Sequence, residues 1–276
     1  MSPRHNRKTM YILMGAITVL MVFPFLWMLL MSFKSNSEIL SDPLSWPESF
    51  DWSNYSNALQ TLNYPRLYLN TFMICAISVS IELVLTFLSS FTIARMTFRH
   101  PGLTKFIYSF LIAGLSVSPF ILLFPVYRIN LFFGLSEQWA LIFPYVASSI
   151  SFNTLLFVGY LRALPQEIDE AAIIDGCSIW DLMLRIILPM TKPVIATVVI
   201  FNVLYIWNEY PFASVMLRNQ TNYTLSMGAS FFKGTYTVDY GGIVASAVMI
   251  IIPELIFYGL FQKKIVGGMV AGAVKG

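Results

Sequence analysis

Six runs of roughly 20 apolar residues recur along this chain, each long enough to cross a bilayer as an α-helix. They cover residues 10–33, 67–94, 106–127, 138–161, 194–217 and 241–261. Hydrocarbon offers the backbone no hydrogen-bond partners, so runs of this length read as helices that satisfy their own N–H and C=O groups. The fold class is therefore all-α integral membrane, with six transmembrane helices. Pro24, Pro119, Pro125, Pro144, Pro211 and Pro253 lie in or near the runs, where neighbouring helices can satisfy the carbonyls that proline frees. The first run is longer than the apolar part of a signal peptide, and Pro24-Phe25-Leu26-Trp27 is not a small-residue cleavage site, so it reads as a retained helix. Composition agrees: 57% of the 276 residues are hydrophobic and 11% charged, against about 25% charged in a soluble domain.

Lysine and arginine placement predicts the orientation. With the N-terminus cytoplasmic, one side holds Arg4, Arg7, Lys8, Arg95, Arg99, Lys105, Arg162, Arg185, Lys192, Lys263, Lys264 and Lys275. The other holds only Lys34, Arg66, Arg128, Arg218 and Lys233, which completes the 17 basic residues. Six spans then put both termini in the cytoplasm. The net charge of +3 is too small to argue for nucleic acid. Cys75 and Cys177 sit in unrelated settings and read as two buried thiols. The outer segment after the first span is turn-rich. Its aromatics Trp46, Trp52, Tyr55 and Tyr64 read as membrane-interface anchors or as a partner contact.

The segment 162–192 is too patterned for a passive connector. Pro165 suits a first helical position, and Glu167, Asp169 and Glu170 follow where the helix dipole favours acids. Gly176 can take the left-handed conformation that ends such a helix. Ser178 then reads as an N-cap with Asp181 three residues on, opening a second helix over 179–188 that stops before Pro189. Ile168, Ala171, Ala172 and Asp175 are spaced to share one face, where small alanines let another surface approach. An amphipathic hairpin lying on the membrane would carry a similar pattern.

Glu170-Ala171-Ala172, then Gly176, then nine residues on Ile186-Ile187-Leu188-Pro189, resembles at every fixed position the EAA loop of ABC importer permeases. Trp207-Asn208-Glu209-Tyr210 resembles the W-N-E-aromatic signature of the carbohydrate importers of the maltose-permease type. The ending 267–276 resembles their G-x-x-A-G-A-V-K-G tail, and Phe91-Thr92-Ile93-Ala94-Arg95 a looser aromatic-A-L-A-R element, with threonine departing from the usual small apolar residue. The resemblance implies a type I importer core over 67–266, preceded by an N-terminal tail, first helix and outer loop (1–66) and followed by a cytoplasmic tail (267–276) that threads between ATPase subunits or simply frays.

The same resemblance implies the partners: a second permease, usually a different chain, two ATP-binding subunits and an extracytoplasmic solute-binding protein. The cargo would be a carbohydrate, an oligosaccharide or modified sugar, and the location a bacterial-type inner membrane. Glu170, Ala171, Ala172, Asp175, Gly176, Leu188 and Pro189 would couple the chain to the ATPase. No cofactor is expected in this chain. Glycine is nowhere followed by lysine, so there is no P-loop, and ATP and Mg would be bound by partner subunits.

Sugars are held by aromatic faces and hydrogen-bonding side chains. Asn202, Tyr205 and Glu209 fall on one helical face, with Asn208 beside them and Asn153 able to oppose them from the fourth span. These read as pore lining or as interhelical hydrogen bonds. Glu82, Glu209 and Glu254 are acids within spans, which are costly and often functional, and would serve a proton-coupled secondary transporter as the alternative function. No catalytic or metal site is expected, since His5 and His100, the only histidines, have no ligand cluster near them. Single cysteines from Ser53→Cys and Asn222→Cys should react with an impermeant thiol reagent on intact cells, and one from Ser178→Cys only after the membrane is opened. Labelling of the last from outside would invert the topology.

Overall fold

The computed structural model describes residues 3–234 and 238–273, with side chains over 8–100, 102–234 and 238–262. Besides a 3₁₀ stretch over Leu225–Phe232, twelve helices of four residues or more carry the described chain: α1 Pro3–Met31, α2 Asn36–Ser41, α3 Ser53–Thr61, α4 Tyr64–Arg95, α5 Pro101–Ala113, α6 Pro119–Phe132, α7 Glu137–Ala163, α8 Glu167–Ile174, α9 Ile179–Met190, α10 Lys192–Asn208, α11 Pro211–Met216 and α12 Tyr240–Ala273. Among the described residues the only β pairing is one bridge between Lys233 and Val238. Lys8–Met31, α4, α7 and Tyr240–Gln262 are each long and apolar enough to span a membrane unaided.

The other two expected spans are broken. The third divides where Gly114–Ser116 gives way to Pro119, and its halves, Gly102–Ser116 and Pro119–Phe132, meet at 103°. The residue before proline is biased away from helix, and Ser118 is extended at φ −66°, ψ 130°. The fifth stops at Asn208, nine residues short of the expected end, because Glu209 is extended; a 70° bend between α9 and α10 lies just ahead of the expected run. Apolar length reports the thickness to be crossed, not the number of segments that cross it.

The chain forms two compact units. The first, residues 1–64 with 227–253, joins the N-terminal part to a stretch that the linear division had placed in the core. Lys8–Met31 has no buried residue in its most apolar window. Beyond it Lys34 is fully buried, donating from Nζ to the Asp42 carbonyl at 3.0 Å and the Ser45 hydroxyl at 3.0 Å, 5.8 Å from the Trp27 ring centre. Phe33 gathers Phe50, Trp52 and Tyr55 around it. Ser35 and Glu38 close a capping box at α2, and the Ser35 N–H and hydroxyl, with the Glu48 N–H, hold the Glu38 carboxyl below the usual range. Trp46 is exposed, as an interface anchor requires. Tyr64 is not: it is buried, with its hydroxyl on Ser246, so its amphipathic ring serves packing instead.

The second unit, 65–226 with 254–276, holds a core built where α4, α7, α8, α9 and α10 converge. Phe87 and Phe91 of α4 meet Phe157 and Leu161 of α7, and Ala172, Leu182, Met183, Ile187, Val194 and Val198 complete the cluster. Phe87 and Phe157 pack edge to face, 6.0 Å between ring centres. Away from this cluster Asn70 donates to the Thr221 and Tyr223 carbonyls, and the Thr71 hydroxyl accepts from the Leu225 N–H. Cys75 is buried but Cys177 only half so, and both are free. Helix association in lipid relies on close packing more than on the hydrophobic effect. Phe157→Ala should therefore lower the stability of the second unit by about 3–5 kcal/mol, read as an earlier thermal transition in detergent.

Candidate functional site: the coupling hairpin and the α7–α10 cleft

The segment 162–192 folds as a rigid hairpin. Three acids stand in the first turn of α8, and Gly176 ends it at φ +76°, a conformation that a β-branched residue resists. The Ser178 hydroxyl accepts from the Asp181 N–H at 3.2 Å and donates to its carboxylate at 2.5 Å. That hydroxyl, with Arg185, holds the Asp181 carboxyl below its ordinary range. The second helix does not stop at Pro189. A π turn over Leu182–Ile187 lets the Leu188 N–H reach back to the Met183 carbonyl, and the widened turn admits a proline that would otherwise clash with the carbonyl four residues back. Helix α9 therefore runs on to Met190 before the bend.

The faces of α8 also differ from expectation. Ala172 is buried in the unit's own core with Ile168 packed against the cluster, while Glu170, Ala171 and Asp175 are exposed. Ile173 and Ile174 are 68% and 84% exposed, and Trp180 of α9 63%. Spacing alone placed Ala171 and Ala172 together, but a helix only two turns long can bury a single stripe. The outward surface is thus large and apolar with an acid beside it, not small. Leu188 is half-buried on the core and Pro189 exposed. Arg95 and Tyr160 tie the hairpin down, the first through Asp169 and the second through a hydrogen bond to the Met190 carbonyl. The residues of the ending 267–276 fall partly outside the described residues, and the side chains of all ten do.

Between α7 and α10 lies a cleft of about 280 Å³ lined by Pro119, Ser148, Ser149, Phe152, Phe201, Asn202 and Tyr205. Phe152 and Phe201 meet edge to face across it. Of the five expected lining residues it takes Asn202 and Tyr205. Asn153 is buried behind them, its Oδ1 accepting from Asn202 Nδ2 at 3.1 Å. Asn208 turns away, donating to the Leu204 carbonyl and to Glu254 at 2.6 Å. For Asn153 and Asn208, interhelical hydrogen bonding is the role the structure displays.

Glu209 also departs from the expected face, since α10 has ended before it. Buried and aimed across the break, its carboxylate accepts from the Phe212 N–H at 2.7 Å, the Ala213 N–H at 3.1 Å and the Tyr145 hydroxyl at 2.6 Å. Two otherwise orphaned amides of α11 are thereby satisfied inside the unit. Its own carbonyl takes the Ser226 hydroxyl. Glu82 is buried on α4 beside the Ser149 hydroxyl. The cleft serines and the two phenylalanines were not singled out in the sequence; Ser148, Ser149 and Phe152, close together in an apolar run, were the available signal. Among the described residues no cluster of His, Cys, Asp or Glu could hold a metal.

Glu209→Ala should destabilise the unit by about 2 kcal/mol, losing a cap and leaving buried N–H groups unpaired. Glu209→Gln should lose less, since its carbonyl oxygen still accepts. Equal thermal transitions for Glu209→Ala and the unmodified protein would show that the carboxylate does not hold the break.

Relatives of known designation match this chain over most of its length. The diacetylchitobiose uptake system permease protein NgcG of Streptomyces coelicolor is 32% identical over 261 residues, covering 94% of this chain and 85% of the relative. The trehalose/maltose transport system permease protein MalG of Thermococcus litoralis is 30% identical over 98% of both chains. A chain in the crystal structure of a bacterial ABC transporter involved in the import of the acidic polysaccharide alginate superposes with a TM-score of 0.79 at 21% identity, covering 95% of this chain and 98% of that one. That likeness speaks to the fold, a type I ABC importer permease. Residues 86–269 match the family described as binding-protein-dependent transport system inner membrane component, and the match contains both hairpin and cleft: this chain belongs to that family.

Proposed function

We propose that the chain is one of two permease subunits of an ATP-driven importer that carries an oligosaccharide or modified sugar inward. The observation that carries the reading is the hairpin. A capped, core-anchored helix presents Glu170, Ile173, Ile174 and the neighbouring Trp180 outward, a surface suited to a cleft in an ATP-binding subunit. Two such subunits would bind ATP and Mg, and this chain would hold neither. A second permease, usually a different chain, and an extracytoplasmic solute-binding protein would complete the assembly, in a bacterial-type inner membrane with both termini cytoplasmic. Relatives named for diacetylchitobiose and for trehalose/maltose support a carbohydrate cargo. So does the cleft, whose aromatic rings offer apolar faces and whose Ser148, Ser149 and Asn202 offer donors and acceptors without net charge.

Proton coupling gains no support from Glu209, which is a helix cap, or from Glu254, which is bonded to Asn208.

Reconstituted with its partners, the chain should take up radiolabelled maltose, trehalose or diacetylchitobiose when ATP is on the hairpin side and binding protein on the other. Vanadate should abolish uptake and a protonophore should leave it unchanged. Uptake by this chain alone that collapses with the proton gradient and ignores ATP would overturn the proposal.

A further inference from the structure

For movement of α8 to reach a membrane span, the two must be joined by something stiffer than apolar contact, which is non-directional and permits sliding. Ala172 offers the core only a methyl group. The directional tie is Arg95, the last residue of α4. Its guanidinium donates from Nη1 to Asp169 Oδ2 at 2.9 Å and from Nη2 to the Leu164 carbonyl at 3.1 Å, with Nη1 also 3.5 Å from the Pro165 carbonyl. Leu164 caps the C-terminus of α7, Pro165 is the link, and Asp169 lies in the first turn of α8. One planar fork therefore grips the end of one span, the link and the start of the coupling helix, a geometry a lysine ammonium does not reproduce. Both charges sit at the favoured poles of their helices.

The side chains are 4% and 17% exposed, so solvent and salt screen the pair weakly. Arg95 Nε and Asp169 Oδ1 have no hydrogen-bond partner. A buried pair left partly unsatisfied is a poor device for stability, but it can set register between two elements. A second ion pair, Arg185–Asp181, is local to α9 and largely exposed on its arginine side, so it joins nothing.

We propose that Arg95 is the positioning residue that transmits displacement of α8 to α4, with Asp169 as its partner. This rests on the ATP-driven reading above. The test uses the full complex in nanodiscs, with Cys75 and Cys177 replaced by serine and a reporter from Ser148→Cys in the cleft. With Arg95 intact, trapping nucleotide with vanadate should change the reporter's reaction rate with a small thiol reagent by about tenfold, the size of an ordinary coupling free energy. With Arg95→Ala the ATPase subunits should still copurify and trap nucleotide, while the rate change falls below about twofold. Asp169→Ala should act in the same direction, and the double variant no more strongly than Arg95→Ala, because the two act as one unit. Arg95→Lys should recover part of the response, as a merely space-filling role would not require. If Arg95→Ala does not accumulate, Arg95→Lys and Asp169→Asn carry the test. A full nucleotide response in assembled variants overturns the inference. A chain with Arg95 intact that recruits no ATPase and traps no nucleotide overturns the ATP-driven reading, and the inference with it.

Discussion

Inside a bilayer each backbone N–H and C=O must find a partner within the protein. That requirement makes long helices the default here, and it makes every interruption informative, because each break must be closed by something specific. At Glu209 a buried carboxylate takes the two amides freed at the start of α11 and a tyrosine hydroxyl besides. At Thr191 the N–H and hydroxyl both return to carbonyls of the preceding turn. The π turn before Pro189 re-pairs Leu188 with Met183. At these three points a neighbouring group compensates for the irregular backbone.

These interruptions surround the parts that bear on transport. The bend between α9 and α10 lets the hairpin fold back against α4 and α7 while α10 runs on beside the cleft. The core at that convergence is aromatic and tightly packed, whereas the cleft mixes rings with hydroxyls and an amide. Under the proposed function, the packed region would carry force and the polar-lined opening would offer weak contacts that cargo can make and leave.

How much of this was legible beforehand varied from element to element. The turn of the hairpin was, down to the glycine at φ +76° and the Ser178 cap, because capping and left-handed turns depend on residues a few positions apart; the end of its second helix, beyond Pro189, was not. The outward face of α8 was not, since eight residues do not say which stripe the rest of the protein will bury. The cleft was half legible. Asn202 and Tyr205 share a face by local periodicity, but Glu209 left that face when the helix ended one residue earlier, and the partners of Asn153 and Asn208 lie on other helices.

The sequence by itself determined the membrane, the helical class, the positions of most apolar segments and the motif of the 162–192 hairpin, since each follows from local composition or spacing. Only the tertiary structure decided that two of the six apolar runs are interrupted, that Ala172 faces inward and Ile174 outward, and that Glu209 caps a helix rather than lining the cleft. Those outcomes depend on pairings between residues far apart in the chain, Tyr145 with Glu209 and Arg95 with Asp169. Hydropathy and helical periodicity are properties of a segment, whereas the partner of a buried charge is chosen by the packing around it.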